Sequence, residues 1–167
     1  MADLASTGKG GRRALLKAAA LAPLAVVWCP KEAAATDYAS AGEALAAIDV
    51  LEAEVVERLR RLEESVSSAR AFAASLKRDH ETHRRERDVL RSRLSLGARG
   101  TPQANVDDAL DLEALKNAQE KLTYAHAEAL PALSDAPAVH VLARPLVDLS
   151  RHLTLVGLWI EAEERRG

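Results

Sequence analysis

Leu45-Ala46-Ala47-Ile48-Asp49-Val50-Leu51-Glu52-Ala53-Glu54-Val55-Val56-Glu57-Arg58-Leu59-Arg60-Arg61-Leu62 sets Leu45, Ile48, Val55, Leu59 and Leu62 at alternating three- and four-residue steps. That period belongs to one face of an amphipathic helix, not to a strand. With Val66 as its last member, the stripe predicts a first helix from about Ser40 to Val66, closed by a break at Ser65, Ser67 and Ser68. A second helix is expected from about Ala69 to Leu96, with Phe72, Leu76, Leu90 and Leu94 on its apolar face. Gly97-Ala98-Arg99-Gly100-Thr101-Pro102 reads as a loop. A third helix is expected to start near Asp107 or Asp108, acidic residues suited to a helix N-terminus, and to reach about Leu133. Its stripe is Leu112, Leu115, Leu122, Ala129 and Leu133. After Ser134-Asp135-Ala136-Pro137, a last helix carries Leu142, Leu146, Leu149, Leu153, Val156 and Ile160, with a kink expected at Pro145. No window alternates like a strand. The fold class is therefore all-α, a four-helix bundle of two hairpins.

Polar residues interrupt all four stripes. Glu52 falls between Ile48 and Val55, His80 and His83 between Leu76 and Leu90, and Gln119 and His126 between Leu115 and Ala129. His152 lies beside Leu149 and Leu153, with Asp148 one turn back. Polar groups at core positions are costly unless satisfied, so their recurrence needs a cause. Depth suggests one. Glu52 is 15 residues before a turn at Ser67 and His83 is 16 after it; Gln119 is 16 before a turn at Asp135 and His152 is 17 after it. Each hairpin thus brings its pair to one level, roughly 24 Å from the turn. His126 stands about two turns nearer its own turn and reads as a boundary pair with Glu128. His80 and His83 diverge by about 60° around the helix, which favours His83 as the inward residue. Arg87 extrapolates onto the apolar stripe, in conflict with its charge. The surrounding run, Lys77 to Arg93, interleaves both signs and reads as a solvated face.

The N-terminus has a different character. Gly11-Arg12-Arg13-Ala14-Leu15-Leu16-Lys17 is followed by an apolar segment, Ala18 to Trp28, and by Ala33-Ala34-Ala35-Thr36. A basic start, a short apolar middle and an Ala-x-Ala end make an export signal, with cleavage expected near Ala35. The residues Arg12, Arg13, Leu15, Leu16 and Lys17 resemble the twin-arginine (Tat) signal, with Gly11 in place of its Ser/Thr and Leu15 in place of its Phe. The resemblance implies export of an already folded protein through the Tat translocon to the bacterial periplasm. An uncleaved membrane anchor is the alternative, although the segment has about half the ~20 apolar residues a spanning helix needs and contains Pro23. Cys29 follows the bulky Trp28, which argues against lipidation.

Removing residues 1–35 lowers the 23 Lys/Arg and 25 Asp/Glu of the chain to 18 and 23, a net charge near −5. The remaining 36–167 hold no cysteine, so no thiol can serve as metal ligand or nucleophile. They make one domain, the signal (1–35) apart. An acidic, aromatic-poor surface argues against nucleic acid as a partner. No nucleophilic triad or phosphate loop is present, and no catalytic residue is assigned. Self-association through helix faces is left open.

Asp79-His80-Glu81-Thr82-His83 is similar to the Asp-His-x-x-His segment of exported bacterial ferritin-like proteins, and the stretch from Gln119 to His152 resembles that family's second half. A ferritin-like di-iron centre takes one Glu from each of two helices and Glu-x-x-His from the other two. The resemblance places Glu52 at the first Glu and His83 and His152 at the two histidines. His80 and Leu149 stand where the Glu of each Glu-x-x-His would be, and Gln119 replaces the remaining Glu. One carboxylate in place of four is a poor di-iron set. Glu52, His80, His83 and His152 suit one Zn, Cu or mononuclear Fe ion better, with Asp148 expected to orient the His152 ring. A bundle whose polar core residues only bond one another, a binding or assembly module without metal, is the competing expectation. The family's order needs a long crossover between the second and third helices. Gly97 to Val106 spans at most about 33–36 Å against roughly 42 Å for the expected second helix, so up-down-up-down order stays open.

Overall fold

A computed structural model describes residues 38–165 apart from 99, 105, 107–110 and 134; the export-signal residues lie outside these. Four helices carry the described chain: α1 (Ala41–Ser65), α2 (Arg70–Arg93), α3 (Leu112–Ala129) and α4 (Ala136–Glu164). Ser40 caps α1 by accepting from the Glu43 amide at 3.2 Å, while Glu43 accepts from the Ala39 amide at 3.0 Å. This reciprocal pair satisfies amides that the first turn cannot bond internally. A 3-10 turn, Ser67–Ala69, joins α1 to α2, and a second, Leu130–Ala132, follows α3. The expected stripes form the core: Leu45, Ile48, Val55, Leu59, Leu62, Leu76, Leu90, Leu115, Leu122, Leu142, Leu149 and Val156 are buried. Val66, Phe72, Leu94 and Leu112 pack against it only in part. α4 continues through Pro145, which is buried. Among the described residues no helix is long and apolar enough to cross a membrane.

Boundaries differ from the periodicity at the ends of α2 and α3, and α3 gives way at Ala129 to the Leu130–Ala132 3-10 turn instead of reaching about Leu133. α2 ends at Arg93 instead of Leu96. The Ser95 amide donates to Ser92 O at 3.2 Å and the Leu96 amide to Arg91 O at 3.0 Å, with Ser95 at φ 54. This pair of bonds around a left-handed residue is a Schellman turn, which turns Leu96 back toward the core. α3 starts at Leu112, and the expected start at Asp107 or Asp108 lies outside the described residues. Asp111 is the residue that caps it, accepting from the Ala114 amide at 3.0 Å.

α1 packs on α2 and α3, and α4 packs on α3 and α2. Lys77 meets Glu63 while Arg91 meets Asp49, so α1 and α2 are antiparallel. Arg151 meets Asp79 while Arg144 meets Glu86, so α2 and α4 are antiparallel too. The short α3–α4 connection makes that pair antiparallel, which leaves α2 and α3 parallel and diagonal. The linker must therefore run the length of the bundle. It does: the Leu96 side chain lies 3.6 Å from where a Cβ on Gly42 would sit, at the start of α1, and the Val106 carbonyl accepts from Arg61 at 3.3 Å, near its end. Gly42 to Arg61 is about 28 Å of helix, and the ten residues from Leu96 to Val106 reach about 33–36 Å. The lengthwise crossover fits.

Ser95→Gly removes a Cβ from a left-handed backbone position and should raise unfolding free energy by about 1 kcal/mol. A urea midpoint that stays put or falls would show that the turn is not strained.

Candidate metal centre

Aspartate and histidine recur at the same i, i+4 spacing on two facing helices: Asp79 and His83 on α2, Asp148 and His152 on α4. Residues one turn apart share a face, and because the helices are antiparallel, each aspartate meets the other helix's histidine. His152 Nε2 lies 3.0 Å from Asp79 Oδ2, and His83 Nε2 lies 3.3 Å from Asp148 Oδ2. Asp148 thus serves His83, not His152 as expected; an aspartate on the same helix lies alongside its histidine, whereas the partner helix presents a ring to it. A carboxylate bound to Nε2 places the proton there and leaves Nδ1 as a lone pair. The Nδ1 atoms of His83 and His152 are both buried without a partner, as are both nitrogens of His80. The His80 ring centroid is 5.3 Å from that of His152 and 6.0 Å from that of His83.

On the α1 side of this cluster, charge replaces imidazole. Arg87 is completely buried. Its Nη2 bonds Glu52 Oε2 and its Nε donates to Asp49 Oδ1 at 3.2 Å. Arg91 donates to Asp49 Oδ2 at 2.5 Å. Two carboxylates and two guanidiniums balance, which resolves how Arg87 can occupy a stripe position. Glu52 divides its oxygens: Oε2 goes to Arg87, and Oε1, without a hydrogen-bond partner, lies 3.5 Å from His80 Nδ1. Tetrahedral ligands at about 2.1 Å from an ion sit roughly 3.4 Å from one another, so this spacing serves a direct Glu52–His80 contact and is also compatible with two donors flanking a metal. One donor atom each from Glu52, His80 and His83 lies within 4.8 Å of the others. His80 and His83 are both buried despite their angular divergence, because Glu52 and α4 receive them on different sides.

His152 is fully buried beside His80 but lies outside that trio. Gln119 is also fully buried, with both amide atoms unpartnered. His126, expected as a boundary pair with Glu128, is instead in the core: its Nδ1 lies 3.0 Å from the Leu122 carbonyl and its Nε2 is unpartnered. A helix turned slightly further inward than the leucine stripe suggests accounts for this, since Thr123 is buried as well. His140 is exposed, as expected. Asp49 and Arg91 were not visible as site residues in the sequence. Their signal was the matching of Asp49/Glu52 at i, i+3 with Arg87/Arg91 at i, i+4 on the facing helix.

Burial alone would raise the Glu52 carboxyl, but His80 and the Arg87 guanidinium outweigh it and hold the group at about 2. Burial pushes the imidazoles the other way. His152 falls to about 4, with neighbouring His80 adding to the effect, and His126 falls to about 3, with Arg87 adding to it. His83 is also lowered by burial, against the pull of Asp148. The His83, His126 and His152 rings are therefore neutral at pH 7, with a lone pair free to ligate.

No protein-family model matches the chain, and neither a curated protein nor a solved structure is significantly similar to it. What the centre does has to be argued from its own geometry.

The lowered imidazoles set an acid limit. In metal-free protein, His152 and His126 stay neutral in the fold as pH falls below about 6.5, while the same rings in the unfolded chain take up protons. The unfolded state then binds more protons, so stability drops as pH falls from about 6.5 toward 4, by an amount on the order of a few kcal/mol. Urea unfolding across this window measures it. A flat profile would mean that the rings are already charged in the fold.

Proposed function

We propose that this chain is an exported helical bundle of ferritin-like layout that holds one transition-metal ion in its core. Glu52 Oε1, His80 and His83 are its ligands, and His152 stands ready to join them. The observation that carries the reading is the set of lone pairs on His80, His83 and His152, sealed from water and, for two of the three rings, oriented by a carboxylate. Buried polar atoms left without partners are rare in folded proteins and call for an occupant. One oxygen and two or three imidazole nitrogens suit Zn, Cu or mononuclear Fe. The bound ion would supply Lewis acidity or electron transfer. The protein's own part is to hold the rings in one tautomer and to exclude water. The ferritin-like layout is supported by the two antiparallel hairpins and the lengthwise crossover. Export through the twin-arginine route is carried by Arg12 and Arg13, and it suits a centre that is filled only once the bundle has folded.

A second reading takes the centre as a metal-free polar core in a binding or assembly module. The bond between Glu52 and Arg87 favours it, since the guanidinium already supplies that carboxylate with a counter-charge.

Metal analysis by plasma mass spectrometry decides between them, on protein exported through its own signal. One ion per chain is expected in the wild type and less than a tenth of that in Glu52→Ala/His83→Ala. No ion in either protein, with both equally stable, would establish the second reading. Arg12→Lys/Arg13→Lys should leave the protein in the cytoplasm; undiminished export would rule out the twin-arginine route.

A further inference from the structure

A divalent ion brings two positive charges into a core where Arg87 already sits. Asp49, Glu52, Arg87 and Arg91 bring two carboxylates and two guanidiniums together in the buried interior. Buried charges persist only when balanced, and removing one partner is costly because it strands the other. The Arg87 guanidinium lies between two carboxylates from the same face of α1, bonded to Glu52 Oε2 on one side and to Asp49 Oδ1 on the other. Its Nη1 is buried without a partner. Two carboxylate oxygens from different residues converging on one buried cation are an arrangement that a divalent metal ion also takes.

We propose that Arg87 is a built-in cation that holds this centre to a single metal ion, its guanidinium filling the room between Glu52 and Asp49 where a second divalent ion would otherwise sit. The inference rests on the one-ion reading above and explains why it is one. A carboxylate bridges two ions by giving one oxygen to each. Glu52 has Oε1 directed at His80, but Oε2 is committed to Arg87, so it ligates through a single oxygen. Arg91 keeps Asp49 Oδ2 in the same way. Replacing Arg87 by an uncharged side chain of similar length removes one positive charge from the core and releases Glu52 Oε2 and the contact that Asp49 Oδ1 makes with the guanidinium. A second divalent ion then has both a charge to neutralise and oxygens to bind.

The test is zinc stoichiometry. Full-length protein is stripped with chelator, titrated with Zn2+, desalted and analysed for bound zinc per chain, with urea unfolding measured alongside. Wild type is expected to hold one ion, Arg87→Met two, and Arg87→Lys, which keeps the positive charge, one. Asp49→Asn/Arg87→Met should return to one. Arg87→Met at one ion with wild type at one overturns the inference and leaves the one-ion reading intact. Zero in both proteins overturns the metal reading, and the inference with it. Two ions in Arg87→Lys would show that charge at this position is not the limit, and two in the double variant would remove Asp49 from the second place. If Arg87→Met is unfolded without metal, zinc should refold it with two ions bound; a chain that stays unfolded in excess Zn2+ shows that the ion cannot replace the guanidinium, and overturns the proposal.

Discussion

A guanidinium with no exposed surface must find its counter-charges inside the protein, and Arg87 finds them in Asp49 and Glu52 on the neighbouring helix. That requirement fixes the rotation of α1 and α2 about their axes, because both carboxylates must face inward at one level. Leu45, Ile48, Val55 and Leu59 then fall on the core side around them. Exchanging such a set for apolar residues is often neutral or stabilising, so its worth is not chiefly stability. What the ion pairs decide is which oxygen of Glu52 remains available to the imidazoles.

The other half of the centre is organised by paired carboxylates and imidazoles across the seam between α2 and α4, the most sparsely packed of the four neighbouring helix pairs. Reciprocal Asp79–His152 and Asp148–His83 bonds span it, with Arg151–Asp79 and Arg144–Glu86 outside them. Phe72 stacked on Trp159 at 6.1 Å closes the seam further along. Polar groups thus hold this seam where hydrophobic packing holds the others. The arrangement sets the tautomers of two rings and crowds three imidazoles into a space from which water is excluded. The lowered proton affinity of His83 and His152 and their unpartnered Nδ1 lone pairs share one cause, burial beside other rings.

Topology serves the site by bringing three helices, α1, α2 and α4, to it. The lengthwise crossover places α2 and α3 on a diagonal, so that Glu52 on α1 faces the histidines of α2, and α4 closes the far side. The crossover is feasible because α2 stops at the Schellman turn around Ser95 and α3 waits for the Asp111 cap. Those two local signals lengthen the linker enough to travel along α1.

The leucine stripes determined the helix count, the hairpins and the common depth of Glu52, His83 and His152, because helical periodicity and rise are local properties of the chain. The serine at the α2 terminus and the third aspartate before α3 were legible only weakly, since caps compete with adjacent candidates and hydrogen bonding decides among them. Which aspartate holds which histidine could not be read from spacing, since the i, i+4 repeat allows pairing within a helix or between helices. Only antiparallel packing selects the second. The inward turn of Arg87 was likewise a tertiary decision: its burial depends on Asp49 and Glu52 arriving from another helix, and no periodicity within α2 carries that information.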